Sequence, residues 1–263
     1  MIKVFVETSV LINGSVYAVV KDAGLPQSVQ MNARYFEKSN ALLSFFRQRS
    51  SKTIGVTTPT VLGEARNAIR RAAQEEARTG GDATFRNLSI ILNQCEERLA
   101  RNIEALDCVQ PDRDRTNSTY FQVRSMYNDL KNKARVMNPK QIRLEARRIV
   151  RSTASPHYRS LAENIKRDEL HQQHSQLRSL INKTPSINDT MFIAEAAVLA
   201  ERYKITRTGT MFLASADVQM SPVTENGRTL SCEISDEIWK RFRVKCDWPD
   251  RILGELRLNI ASL

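Results

Sequence analysis

The stretch Met1–Asn13, "MIKVFVETSVLIN", decides the fold prediction because it joins an apolar run directly to an acid and two hydroxyl residues. Its first six residues include the β-branched and aromatic side chains that are typical of a buried strand. Glu7 interrupts this apolar run, which resumes after Ser9. In open α/β sheets, ligands bind at the carboxyl ends of the strands, which is where Glu7 would lie. The alternative is a simple helix start, with Thr8 or Ser9 as its cap and Glu7 in solvent.

The size and composition of the chain restrict its class. Its 263 residues, 41% of them hydrophobic, suit one domain with an insertion or two small domains. The apolar runs are too short to cross a membrane, and the N-terminus lacks the pattern of a signal peptide. The four cysteines show no CxxC spacing, which disfavours a zinc site and fits reduced thiols. We therefore expect a cytoplasmic protein that has no membrane partner.

The positive charge of the chain is concentrated in one segment. The formal net charge is +11, and residues 124–167 hold 12 Lys and Arg against three acids, a net charge of +9. A concentrated charge favours a binding surface for a polyanion, most commonly nucleic acid. Four aromatic residues in or beside this segment either stack on bases or pack between helices; they are Tyr120, Phe121, Tyr127 and Tyr158. The basic residues expected at this surface are Arg124, Lys131, Lys133, Arg135, Lys140, Arg143, Arg147, Arg148 and Arg151.

Strands alternate with helices near both ends of the chain, which predicts a parallel sheet flanked by helices on both faces. A second strand is expected in "TIGVTTP", followed by a helix with Thr58 as its cap and Pro59 at its first position. The glycines of Thr79–Gly81 are expected to end that helix. Later strands are expected at Met211–Ala214 and in "FRVKC", and the ribbon-like "TLSCEI" lies between them.

Other local features complete the pattern. We expect a loop containing Gly14, Gly24 and Pro26 after the first strand, and Ser235 as the cap of a short helix, "SDEIWKRF". From about residue 80 to 182 the chain is expected to be helical, with breaks near Pro139 and Pro156, and the helix that follows is expected to start at Pro185 and Ser186. The predicted fold is therefore α/β: a parallel sheet flanked by helices, formed by residues 1–80 and 183–263, with a mostly helical basic insertion at 81–182.

Four acids stand at the ends of predicted strands or at the starts of the helices that follow them. They are Glu7, Glu64, Asp189 and Asp217. Because these positions share one rim of a parallel sheet, we expect the four carboxylates to converge there. Each acid alone also has an ordinary explanation, as a surface charge, a helix cap or a turn residue. Their apolar and small neighbours favour the joint explanation, since an acid in such surroundings needs a partner.

This order of motifs resembles the PIN-domain nucleases. The first motif of that family, a hydrophobic strand ending in an acid followed by hydroxyl residues, is matched by "VFVETSVLI", in which Glu7 replaces the usual Asp. Glu64 in "TPTVLGEA" matches the second motif, and Asp189 in "NDTMFIAEAAVLA" matches the third. Ser215 and Asp217 in "FLASAD" match the fourth. The resemblance covers residues 1–75 and 183–250, and it implies a PIN-like sheet.

The resemblance implies a metal-dependent ribonuclease that cleaves single-stranded or structured RNA. Glu7, Glu64, Asp189 and Asp217 would bind Mg²⁺ or Mn²⁺ and carry the catalysis, and Ser9 and Ser215 would orient the acids by hydrogen bonds. Clustered carboxylates are the ligands that these hard cations prefer, and the cation relieves their mutual repulsion. The basic insertion would grip the RNA.

Other functions stay open at this stage. The chain also resembles the plan of the protein-only RNase P of archaea and some bacteria, whose helical projection grips transfer RNA. A PIN fold that has lost its chemistry would serve as an RNA-binding subunit of an RNA-processing or ribosome-assembly complex. A nuclease acting on DNA is a further alternative, and a homo-oligomer is compatible with each of these.

Overall fold

The computed structural model describes residues 2–23, 33–48, 53–136, 138–182, 186–203, 211–217, 219–225, 228–231 and 233–261. The five strands of its central sheet are β1 (Ile2–Val6), β2 (Thr53–Thr57), β3 (Asp107–Cys108), β4 (Met211–Ala214) and β7 (Val244–Asp247). They are all parallel and lie in the order β3-β2-β1-β4-β7. A separate antiparallel ribbon pairs β5 (Val223–Glu225) with β6 (Arg228–Ser231), so "TLSCEI" does contribute a ribbon strand.

Helices surround this sheet. They are α1 (Thr8–Ala23), α2 (Ala33–Arg47), α3 (Pro59–Glu104), α4 (Arg113–Val136), α5 (Pro139–Thr153), α6 (Arg159–Asn182), α7 (Ile187–Arg202), α8 (Glu233–Phe242) and α9 (Pro249–Ala261). A short 3₁₀ turn, Pro156–Tyr158, joins α5 to α6. The predicted α/β fold, a parallel sheet flanked by helices, is confirmed, and it is consistent with the PIN-like sheet that we expected.

Strand β1 lies at the centre of the sheet, and its apolar residues are covered on both faces. Val4, Phe5 and Val6 are fully buried, and their neighbours β2 and β4 pair with them in parallel register. Phe5 lies opposite Val56 on one side and Leu213 on the other. The strand ends directly before Glu7, so the fold delivers this acid to the carboxyl-terminal rim of the sheet.

Several local predictions agree with the structure. Thr58 caps α3 through its side chain, which accepts a hydrogen bond from the Val61 N–H, and Pro59 occupies the first helical turn. Ser186 caps α7 in a reciprocal capping box with Asp189. The helical segment is interrupted near Pro139 and Pro156, as expected. These features depend on side chains close in sequence, which is why the pattern alone predicts them.

Three local predictions are wrong. Gly14 lies inside α1 rather than in a loop, because the helix begins immediately after Glu7; Gly24 and Pro26 lie outside the described residues. The short helix α8 begins at Glu233, so Ser235 is inside its first turn and is not its cap. The helical backbone of α3 continues through Thr79–Gly81 to Glu104. The predicted boundary between residues 80 and 81 therefore falls within α3.

Helix α3 nevertheless reverses direction along its course. A straight helix of its length would span about 69 Å. Yet Arg70 Nε and Glu96 Oε1 are 3.2 Å apart, although about 39 Å of straight helix would separate these residues. The end of α3 also returns to the strand where it began, since the Val109 N–H donates to the Thr57 carbonyl oxygen over 2.9 Å. The chain therefore folds back between Arg70 and Glu96, and both arms of α3 contribute buried residues, such as Ala65 and Leu99, to the main core.

The basic segment forms three successive helices that are attached to the sheet domain. Helix α4 packs against α7, and its Val123 and Met126 are fully buried in the main core. Helix α5 is strongly amphipathic; it buries Ile142, Ala146 and Val150 on one face and packs against α6. Of these three helices, α4 makes the main connection to the sheet domain, and α6 also contacts β6. Within the described residues, no helix combines the length and the apolar character that a membrane crossing needs.

Candidate functional site at the acidic rim

Glu7 is the innermost acid of the rim. Its side chain is 2% exposed, and its carbonyl oxygen accepts a hydrogen bond from the Leu11 N–H as α1 begins. The carboxylate accepts a hydrogen bond from the Ser9 N–H over 2.8 Å and another from the Ser9 hydroxyl. The Ser215 hydroxyl donates a third, over 2.9 Å. A helix does start here, but Glu7 is buried and hydrogen-bonded, so the alternative that placed it in solvent is wrong.

The surroundings of Glu7 disfavour its charge. Burial raises the pKa of Glu7 to about 7, against hydrogen bonds from Ser9 and Ser215 that act to lower it. The nearby charge of Asp189 raises this pKa further. Without a bound cation, Glu7 would thus hold a proton more readily than an ordinary glutamate does. A cation placed beside it would restore the charged form, because opposite charge favours ionisation.

A tight turn follows β4 and presents Asp217. The Asp217 N–H donates to the Ser215 hydroxyl over 3.0 Å, and the Asp217 carboxylate accepts from the Gln219 N–H over 2.8 Å. The Ser9 hydroxyl accepts from the Ala216 N–H over 2.9 Å, which ties this turn to the start of α1. Ser9 and Ser215 thus link the first acid to the last through hydrogen bonds. Both serines make the contacts that their predicted orienting role requires.

Glu64 lies in the second turn of α3 and joins three helices. Its carboxylate accepts a hydrogen bond of 2.7 Å from the Thr8 hydroxyl in α1. It also accepts one of 2.5 Å from the Asn188 side-chain amide in α7. Thr8 and Asn188 are the immediate neighbours of Glu7 and Asp189 in the chain. These two contacts therefore hold Glu64 at the same rim as the other acids, and they show that it is not an ordinary surface charge.

Asp189 occupies the third position of α7 and caps its own helix. Its carboxylate accepts from the Ser186 N–H over 2.9 Å, so the helix-cap explanation does apply to this residue. Burial raises the pKa of Asp189, the contacts with Ser186 oppose the rise, and the charges of Asp217 and Glu64 add to it. Because Asp189 also acts on Glu7, it interacts electrostatically with each of the other three acids. The four predicted site residues thus share one electrostatic neighbourhood.

The donors at this rim are suitable for a hard divalent cation, because they are carboxylate oxygens from four separate segments of the chain. As the side chains are placed, however, no three Asp, Glu, His or Cys residues among those described form a group that could hold a metal ion. Glu7 Oε1 already accepts two hydrogen bonds, whereas each of the other hydrogen-bonded oxygens of these four acids accepts one and keeps a second lone pair. The chemistry of the donors therefore fits a cation, and binding one requires side-chain rotations that bring the acids closer together.

Two buried residues near the rim were not predicted from the sequence as site components, and the first is Glu195. This residue of α7 is 3% exposed, and it accepts hydrogen bonds of 2.6 Å from the hydroxyls of both Thr58 and Thr60. Burial raises its pKa, and the two hydrogen bonds partly offset the rise. Its position within the apolar run "FIAEAAVLA" was the available signal, since an acid in such a run needs a partner. It joins α7 to the cap of α3.

Tyr127 of α4 is the second such residue, and it packs between helices rather than standing free to stack on bases. It is 6% exposed, and its hydroxyl donates to the Gln219 carbonyl oxygen over 2.9 Å. Burial raises the pKa of Tyr127 well above its ordinary value, and the nearby acidic groups, Cys246, Asp189 and Asp217, raise it further. The hydroxyl therefore stays protonated and able to donate. Nothing in its sequence neighbourhood predicted this distant contact.

The basic residues predicted to contact nucleic acid lie mainly on the surface of α4 and α5. Arg147 pairs with Glu163 of α6 over 3.4 Å, and Arg148 pairs with Glu145. Lys131 is half-buried, and the side chains of Lys133 and Arg135 lie outside the described part of the structure. The exposed members are Arg124, Lys140, Arg143, Arg147, Arg148 and Arg151. The structure thus exposes Arg124 on the helix that contacts the acidic rim, and the other five exposed members on α5.

Comparisons with models of protein families, with curated proteins and with solved structures find no match to this chain. The resemblance to PIN-domain nucleases therefore rests on the four sequence motifs and on the fold that carries them. A function can also be argued from the geometry of the acidic rim, which does not depend on similarity to any known protein.

Proposed function

We propose that this chain is a divalent-metal-dependent endoribonuclease whose active site is the acidic rim. The observation that carries the proposal is the convergence of four acids from distant segments: Ser215 links Glu7 to Asp217, and Glu64 accepts hydrogen bonds from Thr8 and Asn188, the chain neighbours of Glu7 and Asp189. Buried like charges are unfavourable unless a cation balances them. Placing these carboxylates together lowers the stability of the fold unless a cation is bound. Their convergence at the ligand-binding rim of a parallel sheet is therefore better explained by a function than by a contribution to stability.

The residues of the rim have distinct tasks in this proposal. Glu7, Glu64, Asp189 and Asp217 would hold Mg²⁺ or Mn²⁺, and Ser9 and Ser215 keep the carboxylate of Glu7 oriented. Such a cation, when bound, supplies an activated water and stabilises the leaving oxygen of a phosphodiester. The exposed arginines and lysines of α4 and α5 would hold the RNA backbone. A cytoplasmic location belongs to the same proposal.

The decisive experiment is cleavage of a mixed cellular RNA pool with Mn²⁺, Mg²⁺ or EDTA. We would compare the unmodified protein with Asp217→Asn, and with Asp114→Asn as a matched control on the exposed first turn of α4. Metal-dependent cleavage that Asp217→Asn lowers by about 100-fold or more, with RNA binding retained, is the expected result. Equal cleavage by Asp217→Asn would contradict the proposal.

A second candidate is an RNA-binding subunit without chemistry, and one observation favours it. The carboxylates of Glu7, Glu64, Asp189 and Asp217 already accept hydrogen bonds within the protein, and no three acids of the described residues form a metal-holding group. This candidate predicts salt-sensitive RNA binding and no cleavage in any metal. The same experiment therefore separates the two candidates.

A further inference from the structure

Phe121 is an exposed aromatic residue that does not pack in the core of the protein. Its side chain is 66% exposed, whereas Val123 and Met126 on the opposite side of α4 are fully buried. The ring packs edge-on against Tyr120, with ring centres 5.5 Å apart and ring planes at 79°. This contact orients the Phe121 ring while most of it stays accessible to solvent. An exposed, oriented aromatic ring is suited to stacking on an unpaired base.

Arg124 lies one helical turn after Phe121 and is also exposed. Its guanidinium lies 5.8 Å from the centre of the Tyr120 ring, so the two residues share Tyr120 as a neighbour. Among the described residues, no carboxylate pairs with Arg124. Its charge is therefore available to a phosphate group from outside the protein. An aromatic ring beside an arginine without an acidic partner is the combination found in grooves that bind single-stranded nucleic acid.

The next turn of α4 carries Tyr127, whose hydroxyl holds the Gln219 carbonyl oxygen in the turn that presents Asp217. Along the axis of α4, Phe121 is only about 9 Å from Tyr127. The exposed pair thus stands on the same helix as the residue that contacts the acidic rim, at a distance that a short stretch of RNA can span.

We propose that Phe121 and Arg124 form a contact site for single-stranded RNA, in which Phe121 stacks on a base and Arg124 binds a phosphate beside the acidic rim. This inference rests on the proposed ribonuclease function and specifies the form of its substrate. The positive charge of residues 124–167 favours a polyanion over an apolar protein partner at this surface. Stacking requires unpaired bases, so the site distinguishes single strands from duplexes.

The test measures binding of a fluorescent 12-nucleotide oligouridylate to the full chain by anisotropy, in EDTA so that no cleavage occurs. We compare the unmodified protein with Phe121→Ala, Phe121→Trp and a control, Leu258→Ala, which removes a 73% exposed side chain from α9. We expect Phe121→Ala to weaken binding by about 5- to 150-fold, the range that loss of one stacked base implies. Phe121→Trp and Leu258→Ala should stay within about twofold of the unmodified protein.

A blunt RNA duplex of the same length serves as the second probe. Phe121→Ala should bind it as the unmodified protein does, because paired bases offer no free face to the ring. The inference is overturned if the unmodified protein does not bind the oligouridylate, if Phe121→Ala binds it normally, or if Phe121→Ala weakens both probes equally. Metal-dependent cleavage alongside any of these results would leave the ribonuclease proposal standing. If Phe121→Ala weakens binding of the oligouridylate but not of the duplex, and the unmodified protein cleaves RNA in no metal, the RNA contact site is supported and the ribonuclease proposal is contradicted.

Discussion

The hydroxyl of Tyr127 in α4 donates a 2.9 Å hydrogen bond to the carbonyl oxygen of Gln219, two residues after Asp217. The Gln219 N–H in turn donates to the Asp217 carboxylate over 2.8 Å. Asp217 is then linked through Ser215 to Glu7. A helix of the basic segment therefore supports the turn that presents one predicted metal ligand, and through it the position of another.

Substituting Tyr127 by Phe should disturb this turn while preserving the buried ring. Loss of the donor leaves the Gln219 carbonyl without its partner, and we expect unfolding to become easier by about 1–3 kcal/mol. Because the Asp217 turn loses its support, we expect the cleavage rate at saturating RNA to fall about tenfold or more, with KM little changed. Steady-state kinetics and urea denaturation measure these effects.

Tyr120→Phe is the matched control for that substitution. Tyr120 lies on the same helix, and its hydroxyl has no hydrogen-bond partner among the described residues. Removing this hydroxyl should change neither stability nor rate appreciably. If Tyr127→Phe behaves like Tyr120→Phe, the hydroxyl of Tyr127 has no role in positioning Asp217.

The exposed arginines of α5 should differ in their contribution to RNA binding. Arg148 is paired with Glu145 over 2.6 Å, whereas no carboxylate in the described part of the chain pairs with Arg151. The slope of log affinity against log salt concentration is negative, and Arg151→Gln should therefore reduce its magnitude by about 0.7, the value for one phosphate contact on a single strand. Arg148→Gln should reduce this magnitude less. Titrations at several salt concentrations check this, and equal slopes for both variants would contradict it.

Glu195 should make the free energy of unfolding depend on pH. Burial raises its pKa in the folded protein above the ordinary value of 4.5, so the folded state holds a proton more tightly than the unfolded state. Stability from this group is therefore highest below about pH 4.5 and is lost as pH rises through the folded pKa, by at most about 1.4 kcal/mol per pH unit. Urea denaturation of the unmodified protein and of Glu195→Gln across this range isolates the effect. The stability of the unmodified protein relative to Glu195→Gln should fall as pH rises, and a relative gain instead would mean that the threonine contacts outweigh burial.

Two glycines inside helices should respond in opposite directions to alanine. A Cβ at Gly14 in α1 would meet the Leu43 side chain and would lie 3.3 Å from the backbone nitrogen of Asn40 in α2. We expect Gly14→Ala to destabilise the fold by about 1–3 kcal/mol through overpacking. A Cβ at Gly63 in α3 meets nothing within 4 Å, so Gly63→Ala should stabilise by up to about 1 kcal/mol. Urea denaturation of both variants checks this. If Gly14→Ala is as stable as the unmodified protein, α1 and α2 can move apart without a loss in the free energy of unfolding.

The sequence by itself determined the features that depend on neighbouring residues. The alternation of strands and helices, the caps at Thr58 and Ser186, and the placement of four acids at element ends are all local. Because parallel strands share a carboxyl-terminal rim, this local pattern was enough to predict that Glu7, Glu64, Asp189 and Asp217 would lie on the same side of the sheet. It also located the basic segment.

Only the tertiary structure decided what these residues touch. The helical backbone of α3 passes through glycines that normally end a helix, and its arms come together because distant residues such as Cys95, Leu99 and Val61 share one core. Likewise, Glu195 contacts Thr58, which is 137 residues away in the chain. Tyr127 contacts Gln219, which is 92 residues away. Such contacts, and the burial that sets the pKa of Glu7, arise from packing between elements, which no window of neighbouring residues contains.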